Sequence, residues 1–395
     1  MNTQRHLKPH WDIFCVVVDN YGDIGVTWRL AKQLVDEHQI SVVLWVDDLH
    51  SFGHILPSLN PNLPVQYFNG IKIIHWNNTN IIAFEPGQVL IEAFACELPS
   101  TVINSLITLK DKQLSQPIWL NLEYLSAETW VDGCHGLPSL QANGLKKWFY
   151  FPGFTDNTGG LLREQPISKM VTQWQTENKK QLLFTQLGLT NIDDDDIVIS
   201  VFSYETPALE SLLNHFAQND TKVHFLVPKG RSLFTLLPLL DCAFDLKLSQ
   251  VQPGSQYHYQ NAIVHVLPMT DQQGYDQLLW SCDINIVRGE DSFLRAQWAG
   301  KPFIWHIYPQ EDDYHFEKLN AFLDKYCQQW PPALAVSYRN LVTAFNEGER
   351  EKCTQRLHEL DLQQQSLQDL AQNWAQSAIN ETDLTSRLVQ FIKSR

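Results

Sequence analysis

Short β-branched apolar runs, each followed by a loop and a stretch with helical spacing, recur through this chain in two series separated by an irregular segment. The first series holds Asp12 to Asp19 (DIFCVVVD), Ile40 to Val46, Ile71 to His75, Val89 to Ala95 and Ile118 to Leu122. The second holds Ile197 to Phe202, Val223 to Val227, Ala262 to Val266, Ile284 to Val287 and Phe303 to His306. Apolar runs that do not alternate with polar residues are buried on both faces, which is the signature of parallel strands covered by helices. At 395 residues the chain exceeds what one core usually serves. The pattern therefore predicts an α/β protein of two Rossmann-like domains facing across a cleft. The domains are expected at 1–165 and 197–375, with an interdomain connection over 166–196. A Gln-rich helical tail closes the chain, its last helix over 376–395 packing back on the first domain.

Composition narrows the function. A net charge of -15 gives no broad cationic face for phosphate backbones, so nucleic acid is not an expected partner. Seven cysteines are scattered without a CxxC pair, and fourteen histidines show no HExxH or other paired spacing, so neither a disulfide framework nor a protein-built metal site is expected. The first residues, MNTQRHLKPHWD, lack an apolar leader, and no stretch has the length of a membrane span. A cytoplasmic location without membrane attachment is expected.

Two loops carry candidate chemistry. The first, Asp19-Asn20-Tyr21-Gly22-Asp23-Ile24-Gly25, joins the first strand to a helix expected from Val26. Both carboxylates stand at the carboxyl end of a strand, where open α/β sheets bind ligands. There is no GxGxxG, so a nicotinamide or flavin fingerprint is absent. Taken singly, either aspartate could simply cap the helix or its turn. The second loop, Arg288-Gly289-Glu290-Asp291-Ser292, precedes a helix over Phe293 to Ala299 that Gly300-Lys301-Pro302 terminates. A helix N-terminus preceded by an arginine is a diphosphate site in outline. The two acids in that loop would repel phosphate unless directed at sugar hydroxyls, and an ordinary helix cap with a surface ion pair is the plainer alternative. Phe202, Tyr204, His306 and Tyr308 at strand ends add weaker candidates.

The segments DNYGDIGVTWRLAKQL, WLNLEYLSAETWVDG, FYFPGFTDNTGGLLRE and RGEDSFLRAQWAGKPFIWHIYPQ resemble, in collinear order over nearly the whole chain, the EarP protein-arginine rhamnosyltransferases. The resemblance implies a GT-B fold and transfer of L-rhamnose from dTDP-β-L-rhamnose, with inversion and without a required metal or cofactor. Its acceptor is an arginine of translation elongation factor P. The first domain would then be the acceptor side and the second the nucleotide-sugar side. The catalytic residues it implies are Asp19, Asp23 and Glu290. The donor contacts are Asn20, Tyr21, Gly22, Phe202, Tyr204, Arg288, Gly289, Asp291, Ser292 and Tyr308. Met269 stands where the family usually has an aromatic residue against thymine, and Gln272 is a candidate for the thymine edge. A guanidinium with a pKa above about 12 is a poor nucleophile, which explains why acids should gather at the acceptor. A sugar-nucleotide epimerase or hydrolase of the same fold, or a noncatalytic binding partner of elongation factor P, would present similar loops.

Overall fold

The computed structural model describes residues 7–18, 21–77, 81, 84–189, 191–240, 249–379 and 381–395. The chain divides into two units, Met1–Gln165 with Glu381–Arg395, and Pro166–Asn380. In the first unit, β1 (Lys8–Cys15), β2 (Val42–Val46), β3 (Val65–Phe68), β4 (Ile71–His75), β5 (Gly87–Ala93), β6 (Ile118–Leu122), β7 (Pro138–Leu140) and β8 (Lys146–Tyr150) form one sheet. Its order is β3-β4-β2-β1-β5-β6-β8-β7, parallel except for the antiparallel edge strands β3 and β7. The apolar runs of the sequence are its interior strands, and Ile13, Leu44, Ile91 and Leu120 are excluded from solvent. One face is an aromatic layer in which Phe14 stacks on Trp45 at 5.3 Å and packs with Phe84, Leu90 and Trp119.

The second unit repeats the plan with β9 (Ile197–Val201), β10 (Val223–Pro228), β11 (Gln256–Tyr259), β12 (Ala262–Leu267), β13 (Ile284–Arg288) and β14 (Phe303–His306). The order β11-β12-β10-β9-β13-β14 is parallel apart from the edge strand β11. Helices Ile167–Thr176 and Lys179–Gln186 pack within this unit, against Gln272–Ser281. Of the tail, Arg350–Glu359 packs on Ala208–Ala217 and Gln365–Ile379 on Asp291–Ala299, while Leu384–Lys393 lies on Gly22–His38 in the first unit. Among the described residues no helix is long and apolar enough to cross a membrane.

The acidic run Asp193 to Asp196 is not wholly the solvated turn that its composition predicts. Asp196 is buried and accepts a hydrogen bond from His224 at 3.0 Å, and the other ring nitrogen of His224 meets His265 at 2.8 Å. A carboxylate entering the sheet beside a buried imidazole satisfies a polar group that would otherwise be costly to desolvate.

In both sheets the strand order reverses beside the first strand of the unit. β2 lies on one side of β1 and β5 on the other; β10 lies on one side of β9 and β13 on the other. Crevices outside the carboxyl ends of such strands are where open α/β sheets bind ligands. The loops that the sequence singles out leave β1, β9 and β13 at these points.

Candidate active site

In the first unit the helix after β1 begins at Gly22, four residues before the expected Val26, because Tyr21 already has helical backbone angles and accepts the Gly25 N–H at 2.9 Å. Gly22 and Asp23 thus occupy the first helical turn. Asp19 and Asn20 lie outside the described residues. Tyr21 is half-buried, its ring edge-on to His54 at 5.6 Å. Asp23 is 2% exposed, and its carboxylate accepts the Val18 N–H at 2.8 Å and the Tyr124 hydroxyl at 3.0 Å. It therefore does not cap its own helix; it joins the ends of β1 and β6. Hydrogen bonds of this kind fix the orientation of a carboxylate.

Tyr124 comes from the loop after β6 and stacks on Phe94 at 4.4 Å. Phe94 and Ala95 both have positive φ, which ends β5 at Ala93 rather than at the expected Ala95. The turn is held by Phe94 N–H to the Leu122 carbonyl (2.7 Å) and Ala95 N–H to the buried Asn121 side chain (3.0 Å). Non-glycine residues in this backbone region cost energy and persist where surrounding contacts hold them. Here the contacts set an aromatic pair beside Asp23. Sequence reading missed Tyr124, whose partner lies 101 positions away, although the motif WLNLEYLSAETW contains it.

In the second unit Arg288, the last residue of β13, is 6% exposed. Its guanidinium lies over the rings of Phe202 (4.4 Å) and Tyr204 (4.9 Å), and its Nη1 donates to the Ser203 carbonyl at 3.3 Å. Aromatic faces suit a planar, weakly hydrated guanidinium. Tyr204 is itself buried, edge-on to His306 (5.2 Å) and to the exposed Tyr308 (5.6 Å). Burial, with the Arg288 and Arg231 charges adding to it, pushes the His306 imidazole down to about 3, so it stays neutral beside the arginines. Residues from the segment after β9, the end of β13, and the end of β14 with the segment beyond it thus form one cationic, aromatic-walled cluster.

The helix that follows starts at Asp291, earlier than the expected Phe293, with Glu290 at its N-cap position and no side-chain cap. No side chain caps this helix: the Ser292 hydroxyl turns back to the Arg288 backbone, accepting its N–H at 3.1 Å and donating to its carbonyl. Gly289 takes a φ of 59°, and its carbonyl accepts Trp305 Nε1–H at 2.8 Å. Gly300 ends the helix in the left-handed region, as the stop signal implied. Asp291 is half-buried, with the Gln272 side-chain amide at 3.5 Å from its carboxylate, and Gln272 itself is buried. Met269 is half-buried in the loop after β12. Glu290 forms an ion pair with Lys318 at 2.7 Å, a residue that the sequence did not single out.

The described grouping of His, Cys, Asp and Glu with the closest ligand atoms is Glu37, His38 and Asp383. These are engaged as a helix anchor. Asp383 caps Leu384–Lys393 by accepting Ser386 N–H, while His38 meets Thr385 and Glu37 accepts Gln165 N–H.

The family model described as Elongation-Factor P (EF-P) rhamnosyltransferase EarP matches residues 11–393. The protein-arginine rhamnosyltransferase of Shewanella oneidensis is 56% identical over 389 residues, 97% of this chain and 98% of that protein. The one from Pseudomonas putida is 43% identical over 392 residues, 98% of this chain and 100% of that protein. A solved structure described as the basis for EarP-mediated arginine glycosylation of translation elongation factor EF-P superposes with a TM-score of 0.68 at 31% identity, covering 98% of this chain and 99% of that one. A glycosyltransferase from Rickettsia africae, at 9% identity and a TM-score of 0.50 over 98% and 99% of the two chains, shares the fold alone. Two Rossmann-like sheets of this kind are the GT-B type. Matched along nearly its whole length, the chain belongs to the EarP family of elongation factor P rhamnosyltransferases.

Proposed function

We propose that this chain moves L-rhamnose from dTDP-β-L-rhamnose to an arginine side chain of translation elongation factor P, inverting the anomeric carbon. The observation that carries the donor half is the buried Arg288 guanidinium, held over Phe202 and Tyr204 and followed directly by a helix N-terminus. A diphosphate there meets a fixed cation and backbone N–H groups, and the charge that develops on departing dTDP is stabilised without reorganisation. Ser292 and Gly289 shape the loop, Tyr308 and Tyr204 wall the nucleotide, and Met269 and Gln272 face the thymine. Asp291 takes sugar or ribose hydroxyls.

The acceptor half rests on Asp23. Its carboxylate holds the guanidinium and accepts a proton as the C–N bond forms, while the leaving C–O bond to the diphosphate breaks. Asp19 and Asn20, with Tyr21 and Gly22, complete the loop that orients the arginine and the sugar. Glu290 supplies negative charge to the oxocarbenium-like centre. Elongation factor P serves translation, so the reaction belongs in the cytoplasm. Incubating elongation factor P with the chain and dTDP-rhamnose, followed by intact-mass analysis, tests the reading. A mass increase of one deoxyhexose, lost when the acceptor arginine is replaced by lysine, supports it. Turnover of dTDP-rhamnose with unmodified elongation factor P favours the epimerase or hydrolase reading instead.

A further inference from the structure

An acid at the mouth of a diphosphate site is an electrostatic problem that Glu290 poses directly, since it adjoins both Arg288 and the helix N-terminus. The fold answers it with an element distant from the loop. The helix Tyr314–Tyr326 carries Phe322 and Lys318 four residues apart, on one face. Phe322 is buried edge-on against Phe293 (4.7 Å) and Trp305 (5.7 Å), and those two rings stack on each other at 3.8 Å. Phe293 belongs to the helix that Glu290 begins, and Trp305 holds the Gly289 carbonyl. The aromatic cluster therefore fixes the register between the two helices and sets the Lys318 ammonium 2.7 Å from Glu290 Oε1. Both side chains are largely sheltered, at 19% and 15% exposure, where solvent screens a pair less than at the surface.

We propose that Lys318 is a positioning residue of the donor site: it neutralises Glu290, so that the loop accepts a diphosphate while the carboxylate is retained for the sugar. The inference rests on the donor-site reading above and adds to it a residue that acts through another. Breaking one partner of a sheltered ion pair leaves the other charge uncompensated. Lys318→Met keeps the apolar stem and removes the ammonium, so its main consequence is an unneutralised carboxylate beside the phosphates. Lys318→Arg keeps the charge.

Calorimetric titration of dTDP into the full chain and its folded variants tests this, with thermal melts as the control on folding. Lys318→Met is expected to weaken dTDP binding about 30-fold, the scale of one carboxylate about 8 Å from a phosphate charge at an effective dielectric of about 20. Glu290→Gln alone is expected to bind dTDP at least as tightly as the wild type. The double variant Lys318→Met with Glu290→Gln should return to within a few-fold of the wild type, the non-additivity that marks coupled residues. A double variant as weak as Lys318→Met would mean that the ammonium contacts the phosphates itself, and would overturn the proposal. Unchanged binding by Lys318→Met, or weaker binding by Glu290→Gln, would overturn it as well. A wild-type chain that does not bind dTDP overturns the donor-site reading, and this inference with it.

Discussion

Replacing Arg288 by alanine is expected to remove most of the affinity for dTDP while leaving a folded protein. The magnitude follows from the site. At 6% exposure the guanidinium is already desolvated, so the free protein has borne that cost before the ligand arrives. A desolvated charge pair between a protein and its ligand contributes about 2 to 4 kcal/mol when one partner is truncated, which corresponds to roughly 30- to 1000-fold in affinity. The same truncation removes the bond to the Ser203 carbonyl and the contacts over Phe202 and Tyr204. A loss of about 1 to 2 kcal/mol of stability is therefore expected as well, small against the reserve of a two-domain protein. Arg288→Lys should fall between the wild type and alanine, because an ammonium keeps the charge but loses the fork geometry and the flat face. Calorimetry with dTDP, alongside melts of each variant, separates affinity from folding. A folded Arg288→Ala protein that binds dTDP as tightly as the wild type would remove Arg288 from the donor site.

Three further outcomes are expected. Asp23→Asn should nearly abolish transfer to elongation factor P with dTDP binding intact, since the role proposed for the carboxylate is on the acceptor; turnover assays with the nucleotide titration as control decide it. Tyr124→Phe keeps the stack on Phe94 and loses only the hydroxyl that donates to Asp23. It should lower kcat about tenfold with the KM for dTDP-rhamnose unchanged, the effect of about 1.4 kcal/mol lost from one charge-assisted bond. Stability should fall in mild acid, because burial pushes His135 and His265 down to about 4 and His306 to about 3. A histidine depressed in the native state leaves the unfolded chain binding more protons below about 6.5, so each of the three costs about 1.4 kcal/mol per pH unit from there towards its native value. Denaturant midpoints that stay constant between pH 7 and pH 5 would contradict this.

The parallel strands were legible in the sequence because burial on both faces leaves continuous apolar runs such as ISVVLWV and IVISVF. The edge strands were not, since VQYF, PSL and QYHY are short, half-exposed and paired on one side only. Both loop helices start earlier than the sequence suggests: glycine at position 22 and aspartate at 291 are poor helix formers, while the backbone there is set by Tyr21 and by the ring of Trp305. The loop motifs pointed to the correct strand ends. What they could not carry was pairing across the fold. Asp23 with Tyr124, Glu290 with Lys318 and Asp196 with His224 are separated by 101, 28 and 28 residues, and each pair forms only because separate elements place the two side chains together. No local pattern in the sequence records such a meeting.

A folded acceptor protein is expected to receive one sugar on one arginine from this chain. The most direct test is the intact mass of elongation factor P after incubation with the wild-type chain and dTDP-β-L-rhamnose, with fragmentation to locate any added mass. A single deoxyhexose on an arginine side chain is expected, absent with the Asp23→Asn chain. Elongation factor P that keeps its original mass while dTDP-rhamnose is consumed would contradict it.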